Sequence, residues 1–148
     1  MSINKRNENG FTLLEVMIAV FVLGTGLLGL AHLQTTTLKH NQSAYLRSQA
    51  STLASDVFDR MRANQTAAVA GDYNLGVDDA PPVELNTIAE MDISEWLTNI
   101  ATFLPNGDGS ISCNPCVAGS VYLVTVEWTD VQDDGSRGNT SFSYSGAL

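Results

Sequence analysis

Two cysteines separated by two residues, Cys113 and Cys116, have a spacing that could support redox chemistry. In a cytosolic protein, a C-x-x-C pair indicates thiol–disulfide exchange, in which the first cysteine is activated at a helix N-terminus. On the oxidising side of a membrane, the same pair favours a small structural disulfide that pins a short turn. The position of the pair relative to a membrane therefore decides between these two hypotheses.

Oxygen-bearing side chains alternate in two turns, where they could hold calcium. The first set is Asn106, Asp108 and Ser110, and the second is Asp130, Gln132 and Asp134. The second set resembles the first half of an EF-hand loop, but Ser141 stands where the closing Glu is needed. Plain turns are the favoured interpretation of both segments, because Asp, Asn and Gly are the usual residues of turns.

Histidines and glycines complete the candidates for chemistry. His32 and His40 lie on one predicted helix without a Cys or carboxylate companion, so we expect no zinc or catalytic role. The run Gly24–Gly29 fits the G-x-G-x-x-G dinucleotide fingerprint, but no βαβ unit surrounds it. The sequence contains no G-x-S-x-G, H-E-x-x-H or triad-like set. We therefore expect no catalytic residue, no metal and no cofactor, and a protein that is not an enzyme.

Glu15 is the only charged residue in the apolar run from Phe11 to Leu33. This run is long enough for a transmembrane helix, which needs about 20 apolar residues. A carboxylate at the bilayer centre costs about 2.5–3.5 kcal/mol, and one near the helix start costs less. A plain anchor leaves this penalty unexplained. Glu15 is therefore a candidate functional residue whose partner lies outside its own helix.

Lys5 and Arg6 precede the apolar run and set its predicted orientation. The positive-inside rule places residues 1–10 in the cytoplasm and the chain after Leu33 across the membrane. A cleaved secretory signal peptide is the competing interpretation, but the apolar core is long and has no A-x-A-like end. The C-x-x-C pair then lies on the oxidising side, which favours a structural disulfide between Cys113 and Cys116.

The segment Gly10-Phe11-Thr12-Leu13-Leu14-Glu15 resembles the leader motif of type IV prepilins. The resemblance implies that an inner-membrane prepilin peptidase cuts between Gly10 and Phe11 and N-methylates Phe11. It also implies that Glu15 is required for assembly. The cut creates an α-ammonium at Phe11, with which Glu15 of a neighbouring subunit could pair. Such a pair is stronger in lipid or a dry filament core than in water.

The elements after the apolar run follow from hydrophobic spacing. From Gln34 to about Asn64 the chain has no Pro or Gly, and an apolar stripe recurs at helical intervals: Leu38, Tyr45, Leu46, Leu53, Val57, Phe58 and Met61. The membrane span therefore continues into an amphipathic helix. A second helix is predicted from Ala89 to Phe103, with Asp92 or Ser94 as its cap.

Turn signals and alternating residues predict a small sheet after the second helix. Strands are expected over residues 110–113, 120–129 and 140–144, with a hairpin turn at Asp133-Asp134-Gly135. The predicted fold class is α+β and type IV pilin-like, with a long N-terminal helix on a small antiparallel sheet. The expected domains are a cleaved cytoplasmic leader (1–10), a transmembrane or filament-core segment (11–33) and a periplasmic globular domain (34–148).

Further segments resemble the PilV family of minor pilins, also called type IV pilus modification proteins. They are Leu27–Leu30, Asn41–Ala50, Asp59–Asn64, Gly71–Tyr73, Leu104–Gly107 and Val124–Trp128. The resemblance implies a low-abundance inner-membrane subunit that helps to start pilus fibres and is incorporated at or near the pilus tip.

Expected partners follow from the resemblance and from the charge. They are other minor and major pilins, the prepilin peptidase, the inner-membrane assembly platform, and lipid before assembly. The net charge of −9 argues against nucleic acid, which needs clustered Lys and Arg. Two alternatives stay open. One is a minor pseudopilin of a type II secretion system, and the other is a membrane-tethered thiol–disulfide oxidoreductase that uses Cys113 and Cys116.

Overall fold

The computed structural model describes residues 11–132 and 135–148. The elements are α1 (Leu13–Ala63), α2 (Gln65–Ala70), α3 (Ile88–Phe103), β1 (Asp108–Cys113), β2 (Val121–Val131) and β3 (Arg137–Ala147). The strands form one antiparallel sheet in the order β1-β2-β3. The predicted α+β fold, a long N-terminal helix with a small antiparallel sheet, is confirmed. The chain divides into two compact units, with the boundary between His40 and Asn41.

The second part of α1 buries one stripe in the core of the globular unit. Its buried residues recur at helical spacing: Leu46, Ala50, Leu53, Ala54, Val57, Phe58 and Met61. The predicted stripe is confirmed over this range. Leu38 and Tyr45, which the stripe also included, are instead exposed. Their apolar character alone did not show which face of the helix meets the core.

A capping box fixes the start of α3. The Thr87 hydroxyl accepts a hydrogen bond from the Glu90 N–H, and the Glu90 carboxylate accepts one from the Thr87 N–H. These two bonds satisfy backbone donors that the helix itself leaves free. The prediction that Asp92 or Ser94 caps this helix was therefore wrong. Thr87 and Glu90 stand three residues apart, as the motif requires, so the sequence itself carries this signal.

The short helix α2 was not predicted. It ends at Gly71, which adopts a left-handed conformation with φ of 91°. There the N–H groups of Gly71 and Asp72 donate to the carbonyls of Ala68 and Ala67. A residue with a side chain rarely adopts this φ, so glycine suits the position.

The central strand β2 supplies one wall of the core. Its alternate residues Tyr122, Val124, Val126 and Trp128 are buried, and each neighbouring position along the strand is more exposed. β2 and β3 pair over the full range from Val121↔Ala147 to Val131↔Arg137, so both strands are longer than predicted. Of the predicted hairpin turn, Asp133 and Asp134 lie outside the described residues.

Gly109 lets α3 approach β1 closely. A Cβ atom at this position would lie 2.5 Å from the Trp96 ring and 2.8 Å from the Ile100 side chain. Trp96 cannot easily yield, because it is fully buried and its indole N–H donates to the Leu53 carbonyl at 2.9 Å. The close contact between α3 and β1 therefore depends on the absence of a side chain at Gly109.

We expect Gly109→Ala to lower the free energy of unfolding by about 1–3 kcal/mol, because the added methyl group overpacks the core. Urea unfolding of the full chain in detergent, followed by near-UV circular dichroism, measures this change. Ser112→Ala, at an exposed position of the same strand, is the control and should change stability by less than about 0.5 kcal/mol. Equal stability of the two variants would contradict the packing argument.

Candidate functional site

The candidate assembly segment is the apolar stretch of residues 11–33, most of which lies in α1. Its large apolar side chains are all exposed, for example Phe11 at 83 % and Leu28 at 73 % of their surface. Monomeric soluble proteins rarely leave so large an apolar patch in water. Among the described residues, α1 is the one helix long and apolar enough to cross a membrane, judged by length and composition.

Glu15 lies in the first turn of α1. Its N–H donates to the carbonyl and the hydroxyl of Thr12, at 3.1 and 3.3 Å, so Thr12 satisfies a backbone donor at the helix start. Phe11 and Glu15 border one shallow apolar groove together with Val16, Ala19 and Leu23. The Glu15 carboxylate has no hydrogen bond or ion pair within residues 11–132 and 135–148. Gly10, the predicted cleavage residue, lies outside the described residues.

The glycine run in the apolar segment belongs to one continuous helix. α1 passes through Gly24, Gly26 and Gly29 without a break, and no strand precedes the run in the described chain. A Cβ atom at any of these glycines would meet nothing within 4 Å. The run thus has the local structure of a membrane-type helix rather than of a dinucleotide-binding loop.

Cys113 and Cys116 are placed at disulfide distance, with Cα atoms 5.0 Å apart, which fits the predicted disulfide. Cys113 ends β1, and its N–H donates to the Asn74 side-chain oxygen at 3.2 Å. This hydrogen bond with Asn74 joins the end of the strand to the loop that follows α2. Cys113 does not begin a helix, so it lacks the helix N-terminus that activates an exchange cysteine in thioredoxin-like proteins.

The histidines and the residues considered for calcium lie apart from one another or hydrogen-bond to nearby groups. His32 and His40 are both exposed on α1. The Asp108 carboxylate accepts from the N–H groups of Asp78 and Gly109, and Asp130 accepts from the Ser43 hydroxyl and the Val131 N–H. In the described part of the chain, no group of three or more His, Cys, Asp or Glu side chains could hold a metal.

Arg60 is the centre of a charged network that sequence analysis did not identify. Its guanidinium donates to Glu95 at 2.8 Å, Asp56 at 3.0 Å and Asp92 at 3.3 Å. The hydrogen bond with Glu95 is the main cause that raises the pKa of Arg60, while partial burial opposes it. The same bond lowers the pKa of Glu95. The network ties α1 to α3.

Tyr73 extends this network into the core. Its hydroxyl donates to Asp92 at 2.5 Å and accepts from the Asn64 side chain at 3.2 Å. Burial, together with the bond to Asp92, raises the pKa of Tyr73 to about 12. The spacing of Asp56 and Arg60 by four residues was a visible signal for a helical ion pair. The contacts with Asp92 and Glu95 depend on the fold and had no local signal.

Comparison with known proteins gives one match. Residues 5–31 match the family model of the prokaryotic N-terminal methylation motif. No curated protein and no solved structure matches the chain significantly.

The matched motif supports a type IV prepilin-like protein, in the general class of pilins and pseudopilins. It points to a structural subunit rather than an enzyme, and it implies pilin partners and processing by a prepilin peptidase. Together with the exposed apolar part of α1, the motif indicates anchoring in a membrane.

We expect Tyr73→Phe to lower the free energy of unfolding by about 1–3 kcal/mol near pH 8, because Asp92 loses its donor. The raised pKa means that the folded state holds the hydroxyl proton more tightly than the unfolded state does. This contribution is complete below pH 10 and disappears as the pH rises to about 12.

Urea unfolding at pH 8 and at pH 11 measures this effect. The stability difference between the parent and Tyr73→Phe should shrink at the higher pH. Tyr45→Phe, at an exposed tyrosine, is the matched control and should behave as the parent at both pH values. A difference that stays constant with pH would show that the Tyr73 hydroxyl does not titrate as described.

Proposed function

We propose that this chain is a minor pilin of the PilV type, which takes part in starting type IV pilus assembly at or near the fibre tip. The observation that carries the proposal is a methylation motif that leads into an exposed apolar helix, in which Glu15 has no partner in the described chain. The PilV-like segments, among them Asp59–Asn64, support the narrower family assignment.

In this proposal, residues 1–10 are a cytoplasmic leader that the prepilin peptidase removes. Residues 11–33 span the inner membrane as a single pass until assembly, and residues 34–148 form the periplasmic domain. Oxidation of Cys113 and Cys116 accords with that compartment. The mature subunit then moves from the membrane into the extracellular pilus, where other pilin helices cover its apolar segment.

Glu15 would select the correct position of one helix beside the next. After cleavage, Phe11 carries an ammonium group, and Glu15 of an adjacent subunit can accept its hydrogen bonds. In a medium of low dielectric constant, an unpaired carboxylate is strongly unfavourable, and a paired one is not. Only the stagger that joins the two groups avoids this penalty. The apolar side chains around them are compatible with many staggers.

A minor pseudopilin of a type II secretion system would share the leader and the fold. Isolation of this subunit from membranes, followed by identification of the proteins that accompany it, separates the two. Pilus subunits and the pilus assembly platform should accompany the chain if the proposal is right. Subunits of a secretion system alone would contradict it.

We expect the mature chain to begin at Phe11 and to carry one methyl group on its amino nitrogen. Mass spectrometry of the membrane-extracted protein measures both features. Gly10→Val should block the cut, since a branched side chain enters a site that accepts glycine, while Asn9→Ala should be processed as the parent is. An intact Met1, or a start after Ala31, would rule out the prepilin assignment.

We expect Glu15→Leu to insert into the membrane and to be cut after Gly10, but to be depleted about tenfold or more from sheared pili. Tenfold corresponds to about 1.4 kcal/mol, which is modest for a carboxylate–ammonium pair in a dry interface. Glu15→Asp should retain part of the incorporation, because the charge remains but reaches less far. Val16→Leu, the neighbouring substitution that keeps the carboxylate, is the control.

Quantitative detection of the subunit in the sheared and inner-membrane fractions measures incorporation. Parental levels of Glu15→Leu in the sheared fraction would contradict the assembly role. A loss of cleavage in the same variant would instead assign Glu15 to recognition by the peptidase.

A further inference from the structure

One face of α3 carries apolar side chains that the described chain leaves uncovered. Ile88 and Met91 stand three residues apart, on the same side of the helix, and leave 60 % and 45 % of their surface exposed. Glu95 follows Met91 one turn later on this face. The buried side chains of α3 lie on its other side: Ala89, Ile93, Trp96, Leu97 and Ile100. The exposed face therefore takes no part in the core.

A groove lies between this face and the end of α1. It has a volume of about 260 Å³ and is lined by Arg60, Ala63, Asn64, Ile88 and Asp92. Sites that hold drug-sized small molecules usually measure about 300–1,000 Å³. The groove is smaller than these sites, so it suits a side chain of a protein partner better than a free small molecule.

The groove has an excess of negative charge. Asp56, Asp92 and Glu95 surround the single guanidinium of Arg60, so the formal charge of this cluster is −2. The side chains of Asp56 and Glu95 keep 46 % and 62 % of their surface exposed. A carboxylate accepts hydrogen bonds at both of its oxygens. A second cation can therefore join the cluster without displacing Arg60.

The nearby chain supplies no second cation for this cluster. From Ala63 to Ser136 the sequence has twelve Asp and Glu residues and no Lys, Arg or His. Arg62 pairs with Asp59 at 3.3 Å and lies over the Phe58 ring at 4.7 Å. A balancing cation therefore comes from solution or from a partner, and the exposed apolar side chains beside the cluster favour a partner.

We propose that the groove between α1 and α3 binds a segment of another protein in which an arginine or lysine stands beside large apolar side chains. The cation would pair with Glu95 and Asp56, and the apolar side chains would cover Ile88 and Met91. Complementary charge selects the partner and its register, and burial of the apolar contacts supplies affinity.

A second copy of this chain is a poor occupant because of its charge. Residues 41–148 contain four arginines and fourteen Asp and Glu residues. Like charges that face each other across an interface disfavour binding. Two of the four arginines, Arg60 and Arg62, already pair with carboxylates of their own chain.

The remaining basic residues of the described chain lack the apolar neighbours that the groove requires. Lys39 and Arg47 have only small or polar side chains one turn away along α1. Arg137 borders a polar pocket together with Asp130 of its own chain. The occupant is therefore a segment of a different protein.

Site-specific photo-crosslinking of the full chain in its native membrane tests the proposal. The photoreactive residue replaces Thr98, which is exposed on the same face of α3 about one turn beyond Glu95, and a control sample carries it at exposed Ser143 of β3. We expect Thr98 to label one segment of one other protein. That segment should contain an arginine or lysine and a large apolar residue within about four positions of the labelled site, which is one helical turn. Ser143 should not label it.

Salt and charge variants test the electrostatic part of the contact. Raising the salt from about 0.1 M to about 1 M shortens the Debye length from about 10 Å to about 3 Å, so labelling from Thr98 should fall severalfold. Glu95→Gln should reduce labelling about threefold. Glu127→Gln, which changes the net charge equally but lies on β2, should leave it unchanged. Thr102→Lys keeps every contact of Arg60 and should also reduce labelling, because it adds a positive charge to this face.

A matched pair of substitutions tests the apolar part of the contact. Ile88 and Val121 are similarly exposed, at 60 % and 63 % of their surface. Ile88→Ser should reduce labelling about tenfold, because it removes apolar area that the partner covers. Val121→Ser should not reduce it. Near-UV circular dichroism of each purified variant checks that the fold is retained.

Labelling of a second copy, of a segment without a basic residue, or of scattered positions would overturn the proposal. So would labelling that neither salt nor Glu95→Gln reduces, or the absence of a label specific to Thr98. The inference uses no part of the pilus assignment, so this experiment and the Glu15 experiment can fail independently.

Discussion

The apolar side chains of residues 11–33 must leave water, and no part of the described chain covers them. Helical hydrogen bonding satisfies the backbone of this segment without water, which makes lipid an acceptable surrounding. Further along the same helix, the stripe from Leu46 to Met61 is covered by α3 and the sheet. The helix α1 thus contributes side chains to two different apolar environments. The core of the globular unit comes from the chain itself, and the surrounding of the apolar segment comes from outside it.

Polar tips of large side chains direct the packing of the globular unit. The Trp96 indole N–H reaches the Leu53 carbonyl at 2.9 Å, and the Tyr122 hydroxyl reaches the Ala68 carbonyl at 3.1 Å. Both bonds join elements that are distant in sequence, and both lie in buried surroundings. A buried polar group without a partner is unfavourable, so each bond disfavours packings that would break it. Burial of apolar side chains alone discriminates less between alternative packings of the core.

The sequence predicted the elements whose signals are local and repeated. Long α1 followed from an uninterrupted apolar run and stripe, and β2 followed from strict alternation. The boundaries of the elements, and the contacts between elements, were harder to predict. Asp92 was expected to cap α3, but its carboxylate instead accepts the Tyr73 hydroxyl and the Arg60 guanidinium. Tyr73 and Arg60 lie 19 and 32 residues from Asp92 along the chain. No local sequence pattern predicts contacts at such separations. Phe11 and Glu15 stay predictions, and they follow from a chemical signal in the sequence, which is a carboxylate within an apolar run.

The apolar segment of residues 11–33 discriminates poorly between the surroundings that can cover it. Apolar burial depends on area and has little directionality, so lipid tails and neighbouring helices satisfy residues 11–33 almost equally. In the proposed pilus assembly, this similarity would let a subunit pass from a membrane into a fibre without a large barrier. Discrimination must then come from directional groups. In the proposed assembly, Glu15 is one such group. In that proposal, its ion pair with the Phe11 ammonium of a neighbour forms only in a defined register, so the choice of neighbour depends on it.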